Sequence, residues 1–301
     1  MYEVLLLLFN QGVSKMEWVE SLQRAIDYME EHLLDELSIE DIAKQAYVSE
    51  FHFQRIFTIL TGITFGEYLR RRRLTLAAQE LSNTSIRIID IALKYGYDTP
   101  EAFSKAFRRQ HDLTPSQARK THAKLKSYNR LAIQVTLKGA EPMKYKIIER
   151  ESFQVVGIKR ELSCENGENL TEIPKMWAEV HNDGTNDLLF KVNNGEINGV
   201  LGVCAEKRGT QSQLMDYWIA TEHTGDTPEG LMNLEIPASK WAVFEVHGAM
   251  PDAIQKVWQQ IYSEWFPSSR YKHAGTPDLE VYSAGDPWSP DYFSEIWIPI
   301  K

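Results

Sequence analysis

The chain has 301 residues, with 33 basic and 42 acidic side chains and a formal charge of −9, a length that suggests two domains. Its 43% hydrophobic and 25% charged content, with 17 glycines and 12 prolines, excludes collagen-like, mucin-like and wholly disordered chains. An acidic total argues against a nucleic-acid partner until it is divided: residues 1–43 carry a net −8, residues 44–127 a net +8 and residues 128–301 a net −9.

Residues 1–15 are expected to form a frayed leader. Val4 to Phe9 is too short for a secretory core and no basic residue precedes it. No apolar run approaches the ~18 residues of a membrane span. Strong patterning opens at Met16, and Trp18, Leu22, Ala25, Ile26, Met29 and Leu33 form one helical stripe. Ser38, with Asp41 three residues on, reads as the cap of a second helix with Ile39, Ile42, Ala43 and Ala46 inward. Tyr47-Val48 turns the chain. Ser49 caps a third helix with Phe53, Ile56, Phe57 and Leu60 inward, ended by Thr61-Gly62. Short helix, tight turn and longer helix make a helix-turn-helix.

The pattern recurs. Ile42-Ala43 matches Ile91-Ala92 at an offset of 49, and after the turn Ser49, Phe53, Arg55, Phe57 and Ile63-Thr64 match Thr99, Phe103, Lys105, Phe107 and Leu113-Thr114 at an offset of 50. Recurring apolar positions mean a repeated fold; recurring outward pairs, Gln54-Arg55 and Ser104-Lys105, suggest a repeated task. Between the units, Phe65 to Leu81 is predicted as a helix about 25 Å long at ~1.5 Å per residue. Such a rod could hold two recognition helices one DNA turn, roughly 34 Å, apart.

The run Ile91-Ala92-Leu93-Lys94-Tyr95-Gly96-Tyr97-Asp98-Thr99-Pro100-Glu101-Ala102-Phe103-Ser104-Lys105-Ala106-Phe107-Arg108-Arg109, closed by Leu113-Thr114-Pro115-Ser116, and the earlier Phe51-His52-Phe53-Gln54-Arg55-Ile56-Phe57 carry a specific resemblance. Residues 19–120 resemble the double helix-turn-helix domain of the AraC/XylS transcription regulators. The resemblance implies DNA contacts from Ser49, Phe51, Gln54 and Arg55 in the first unit. In the second it implies Thr99, Glu101, Ser104 and Lys105, with Arg108 nearer the backbone. The chemistry agrees: Arg pairs with guanine, Gln with adenine, and an aromatic packs on a thymine methyl. Arg70 to Arg73 cannot share one helical face; two of them, Arg72 included, are expected on phosphate and the rest on acids such as Glu67. His52 is expected to be incidental or a phosphate contact.

After Lys126 the pattern changes. Tyr145–Ile148 and Gln154–Ile158 are predicted as a hairpin or bulged strand, Leu170–Asn182 as a helix, and Ile197–Ala205 and Leu214–Thr221 as strands. Trp241–Val246, a helix from Pro251 to Phe266, and strands Leu279–Tyr282 and Tyr292–Ile300 repeat the order strand-helix-strand-strand. Such a duplication predicts an α+β fold with a central cleft. Trp241-Ala242-Val243-Phe244-Glu245-Val246-His247-Gly248, Pro277-Asp278-Leu279-Glu280-Val281-Tyr282 and Phe293-Ser294-Glu295-Ile296-Trp297-Ile298-Pro299-Ile300 resemble the GyrI-like effector-binding domain. The expected architecture is therefore multidomain, all-α then α+β: leader 1–15, double helix-turn-helix 16–122, linker 123–143 and effector-binding domain 144–301. Arabinose-type regulators put the sensor first, so sugar sensing is not implied.

In the last strand Glu295 and Trp297 share one face, Ile296 and Ile298 the other. The branched residues are assigned to the core, leaving Glu295 facing out or into a cleft. The resemblance implies a pocket carboxylate in this strand, so Glu295 is the expected acid, with Glu245 and Glu280 as alternatives. Trp297, Tyr217, Trp218, Tyr282, Trp288 and Tyr292 are candidate walls, whereas Trp258 and Trp265 are assigned to core. A carboxylate among aromatic rings selects lipophilic cations.

Cys164 and Cys204 have no metal-ligand spacing and read as reduced thiols of a cytoplasmic protein; no cofactor or metal is expected. The expected function is transcription regulation controlled by a small lipophilic or cationic effector, without membrane association, by a monomer or weak dimer with RNA polymerase as a further partner. Two other functions stay open: a hydrolase in which Glu295 activates water with Tyr217 or Tyr292 as partner, and a protein-binding adaptor. No Ser-His-Asp, metal-ligand or phosphate-loop motif supports another chemistry.

Overall fold

A computed structural model describes residues 19–120, 124–133, 142–164, 167–206 and 214–301. The expected leader and much of the expected linker lie outside the described residues. None of the described helices is long and apolar enough to cross a membrane. Residues 19–31 are helical (α1), followed by α2 (Ile39–Ala46), α3 (Glu50–Thr61), α4 (Phe65–Asn83), α5 (Ile88–Lys94), α6 (Pro100–His111) and α7 (Pro115–Lys120). The chain divides into two compact units. One takes the described residues of Val19–Glu50 and Ile63–Val135; the other takes Phe51–Gly62 together with those of Thr136–Lys301. Helix α3 is thus grouped with the C-terminal half rather than with its neighbours in sequence.

In the first unit local signals act as read. Ser38 Oγ accepts from Asp41 N at 3.1 Å and starts α2. Tyr47, at φ 56°, makes the left-handed turn that ends it. Thr99 Oγ1 accepts from Ala102 N at 3.1 Å and, with Pro100 in the first turn, starts α6. Leu74, Ala77 and Leu81 of α4 pack with Ile91, Ala92, Phe103, Phe107 and Ala118. Gly96 closes α5 at φ +80°, where a Cβ would lie 3.0 Å from Arg73 Nη1.

The described strands of the second unit are β1 (Tyr145–Arg150), β2 (Phe153–Ser163), β3 (Val200–Glu206), β4 (Leu214–Glu222), β5 (Met232–Ile236), β6 (Ser239–His247), β7 (Asp278–Tyr282) and β8 (Phe293–Ile300). They form one antiparallel sheet in the order β1-β6-β8-β7-β3-β4-β2-β5. The duplication is visible in that order: β6-β8-β7 mirrors β2-β4-β3, and the halves meet at the β3–β7 seam. Helices α8 (Glu168–Asn182) and α9 (Thr185–Val192) follow β2; α10 (Asp252–Gln260), a π-helical turn (Ile261–Trp265) and the short α11 (Phe266–Ser268) follow β6.

The expected hairpin of the first two strands is not formed. β1 pairs with β6, while β2 pairs with β4 and β5. A two-residue hairpin needs positive φ in its loop, and Glu151-Ser152 supplies no glycine or asparagine. The two residues instead carry the chain from the edge strand β1 to β2, which lies next to the other edge strand β5, so these distant parts of the sheet order come close together. At this corner Arg150 makes a two-pronged bond to Glu222, 2.9 and 3.0 Å long, and Glu222 also accepts from Ile197 N at 2.8 Å.

Both faces of the sheet are packed. Ile296 and Ile298 lie with Trp258, Ile261 and Tyr262 against the α10 segment, and Val200, Cys204 and Tyr217 lie with Met176 and Val180 of α8. On the opposite face Trp297, Trp241, Val243, Leu279, Val281 and Trp218 form a separate cluster.

Candidate functional site

Within the second unit a cavity of about 650 Å³ opens over the β3–β7 seam, between α8 and α10. Its acid is Glu280 on β7. Trp258 Nε1 donates to Glu280 Oε1 at 2.7 Å and the Tyr282 hydroxyl donates to Oε2 at 2.9 Å. Gly202 leaves the room these groups occupy: a Cβ there would lie 2.6 Å from the Tyr217 hydroxyl and 3.3 Å from Glu280 Oε2. The Tyr217 hydroxyl accepts from Trp177 Nε1 at 2.9 Å. Burial, then the charge of Glu280, pushes both tyrosine hydroxyls well above their ordinary pKa. They therefore stay neutral beside a carboxylate, and the Tyr282 hydroxyl donates to it.

Helix α3 supplies one side of this cavity through Phe51, Gln54, Arg55 and Thr58. The Arg55 guanidinium lies 4.5 Å from the centre of the Trp258 ring. Its Nη1 donates to Cys204 Sγ at 2.9 Å, and its Nε sits 3.4 Å from Asp278 Oδ2. Asp278 Oδ1 is 2.7 Å from His273 Nε2. Burial alone would raise the Asp278 pKa; His273 and then Arg55 hold it below the ordinary value. Burial works against the Arg55 charge, but the Asp278 and Glu280 carboxylates hold its pKa above the ordinary value. Burial pushes the Cys204 thiol up to about 12, so it meets Arg55 as a thiol.

The cavity brings together only some of the expected ligand residues. Tyr217 lines it, and Tyr282 reaches it through Glu280. Glu295 does not: it accepts from Trp297 Nε1 at 2.8 Å and faces Lys146 at 3.4 Å. In the sheet register Glu280 stands opposite Ile296, and Glu295 stands opposite Val281. The cavity therefore lies on the Ile296 face, and alternation puts Glu295 on the other. Trp297 and Trp218 belong to the cluster on that other face. Trp288 is 71% exposed, and the Tyr292 hydroxyl is tied to Ser283 O at 2.8 Å. Trp258, assigned to core from its helical spacing, is buried there as read and in addition shares the acid with Tyr282. A tryptophan on an amphipathic helix gives no local sign of which partner its N–H will meet.

The DNA-contact expectations also divide. On α6, Glu101, Lys105 and Arg108 are exposed and Ser104 half-buried. Ser104, Lys105, Arg108, Arg109 and Thr114 line one basic groove in the first unit. Ser49 and Thr99 are exposed at the starts of α3 and α6, Thr99 with its hydroxyl engaged as the cap. Phe51 and Gln54 are buried, and the Arg55 side chain is only 15% exposed. Arg72, expected on phosphate, is engaged inside its own unit: Nε and Nη2 each meet Glu30 at 2.8 Å, and Nη1 donates to Tyr128 O at 2.6 Å. Burying two charges requires such pairing, and it commits three of the five N–H donors of Arg72 inside its own unit. Glu67 pairs with both Arg70 and Arg71.

Residues 146–300 match the family described as the integron-associated effector binding protein, and residues 42–121 match the helix-turn-helix domain family. The right origin-binding protein of Escherichia coli K12 is 32% identical over 287 residues, covering 91% of this chain and 96% of that protein. The regulatory protein SoxS of Salmonella typhimurium is 42% identical over 104 residues, 35% of this chain and 97% of SoxS. The solved structure of SAV2435 bound to tetraphenylphosphonium shares 28% identity, covers 53% of this chain and 94% of that one, and superposes with a TM-score of 0.48. The chain belongs to the AraC family of DNA-binding transcription regulators, with a C-terminal effector-binding domain of the integron-associated, GyrI-like kind.

Proposed function

We propose that this regulator responds to a lipophilic organic cation bound at Glu280. The observation that carries the reading is the Glu280 carboxylate, fixed by Trp258 and Tyr282 in a cavity whose wall also holds Tyr217, itself held by Trp177. A fixed carboxylate neutralises the cation, and the rings stack on it. Titration of the full chain with tetraphenylphosphonium should quench tryptophan fluorescence saturably, and the neutral triphenylphosphine oxide should bind at least about tenfold more weakly, a difference of ~1.4 kcal/mol. Equal affinities would remove the role of the acid.

DNA reading is assigned to Ser104, Lys105 and Arg108 on α6, and to Gln54 and Arg55 on α3 when that helix is accessible. Two recognition helices on one chain span two grooves without a second copy, so a monomer suffices to cover the site. Lys105→Ala should weaken binding to a selected operator about tenfold at fixed salt with the melting temperature unchanged. Unaltered affinity would take base reading away from α6.

A further inference from the structure

The three residues that the AraC resemblance assigns to base reading in the first unit, Phe51, Gln54 and Arg55, all line the effector cavity. We infer that α3 is an autoinhibitory occupant of this cleft, with Arg55 standing where an effector cation would stand, so that effector binding and release of α3 for DNA are one event. The inference rests on the reading of Glu280 as the effector acid.

Arg55 meets the requirements set out for the ligand. It is a flat cation stacked on Trp258, the indole that donates to Glu280. An aromatic cation seated on the same ring and acid needs the space the guanidinium fills. Apolar contacts hold the rest of α3. Phe51 packs with Cys164, Met176 and Cys204, and Ile56 with Trp258 and Tyr262. The His52 ring lies 4.3 Å from that of His273, the partner of Asp278.

Gln54 shows that the cleft is not the only place for this helix. It is 5% exposed, and both its Oε1 and Nε2 are buried with no hydrogen-bond partner among the described residues. Each unmet buried polar group is costly, and an apolar side chain would suit the cleft better. A glutamine at this helical position suits adenine instead. One face of α3 therefore serves two exclusive partners. The unmet amide weakens the closed arrangement, as a competitor-driven switch requires. While α3 is closed, Gln54 and Arg55 cannot reach bases, and observed DNA affinity falls by the fraction of open molecules.

The test uses the full chain, an operator duplex selected in vitro from a random pool, and tetraphenylphosphonium as the cation. Asp278→Asn removes the carboxylate that faces Arg55 without altering the Trp258–Glu280 wall. It should raise operator affinity in the absence of cation about 5- to 150-fold, the usual range of such couplings. His273→Ala, which disturbs the same grip from the His52 side, should act in the same direction if Asp278→Asn fails to fold. In the wild type, saturating cation should raise operator affinity by a similar factor and extend the nuclease footprint from about one helical turn to two. By reciprocity, DNA should tighten cation binding equally. Raised affinity in the cleft variants supports the clamp even if tetraphenylphosphonium does not bind, a result that would count only against the cation reading. Wild-type operator affinity in folded Asp278→Asn or His273→Ala, or cation binding that leaves operator affinity unchanged, overturns it.

Discussion

Glu280→Gln is expected to reduce tetraphenylphosphonium affinity by about 30-fold or more, because removing one partner of a desolvated charge pair costs roughly 2–5 kcal/mol. The amide keeps the shape of the carboxylate, and its oxygen can still accept from Trp258 or Tyr282, which hold the acid at 2.7 and 2.9 Å. The cavity should survive, and only the charge should be lost. Fluorescence titration of the variant with the cation and with triphenylphosphine oxide checks this: the first affinity falls and the second stays. The companion Glu295→Gln should leave both unchanged, since Glu295 meets Lys146 and Trp297 on the opposite face. The reverse pattern would return the effector acid to the last strand.

Arg150→Met is expected to lower the unfolding free energy of the C-terminal unit by about 3–5 kcal/mol at neutral pH, because Glu222 is then left as a buried carboxylate without its cation. The pH dependence carries the sign. In the wild type burial alone would raise the Glu222 pKa, but the bonds from Arg150 and from Ile197 N lower it. The stability this gives is present above the ordinary glutamate pKa and is lost as pH falls through the lowered one. In Arg150→Met burial dominates and the carboxyl shifts upward, so acidification protonates it and recovers part of the loss. Urea unfolding at pH ~7 and pH ~4, spanning the glutamate range, should show the gap between the two proteins narrowing in acid. A constant or widening gap would mean that the pair is not the corner's electrostatic anchor.

Much of this could be read locally. Ser38 and Thr99 start their helices as capping residues, and Phe103 and Phe107 fall inward as their spacing requires. The duplicated strand-helix-strand-strand order reappears as the mirrored β6-β8-β7 and β2-β4-β3 halves. Alternation in β8 did separate Glu295 and Trp297 from Ile296 and Ile298, but it could not say which face carries the cleft. Both faces are buried, one under α10 and the other against Trp241. Setting Glu280 in the cavity over the β3–β7 seam needed the register that places it opposite Ile296, while Glu295 and Trp297 line a separate cavity on the other face. Of the four consecutive arginines, Arg70 and Arg71 meet Glu67 one helical turn away, as read, but nothing local named the partner of Arg72: Glu30 is 42 residues before it, and only packing brings the pair together.

The divided charge, the two helix-turn-helix units and the second domain's α+β class were determined by the sequence by itself. Each depends on capping, on 3.6- and 2-residue periodicity, and on neighbours within a few turns. That Glu280 and the α3 residues Phe51, Gln54 and Arg55 line one cavity was decided only by tertiary structure. Arg55 and Cys204 are 149 residues apart in the chain, and the amphipathic pattern of α3 is the same whether its outer face meets DNA or Trp258. A helix's periodicity states that a face will be covered; which surface covers it depends on the free energies of contacts that no local pattern records.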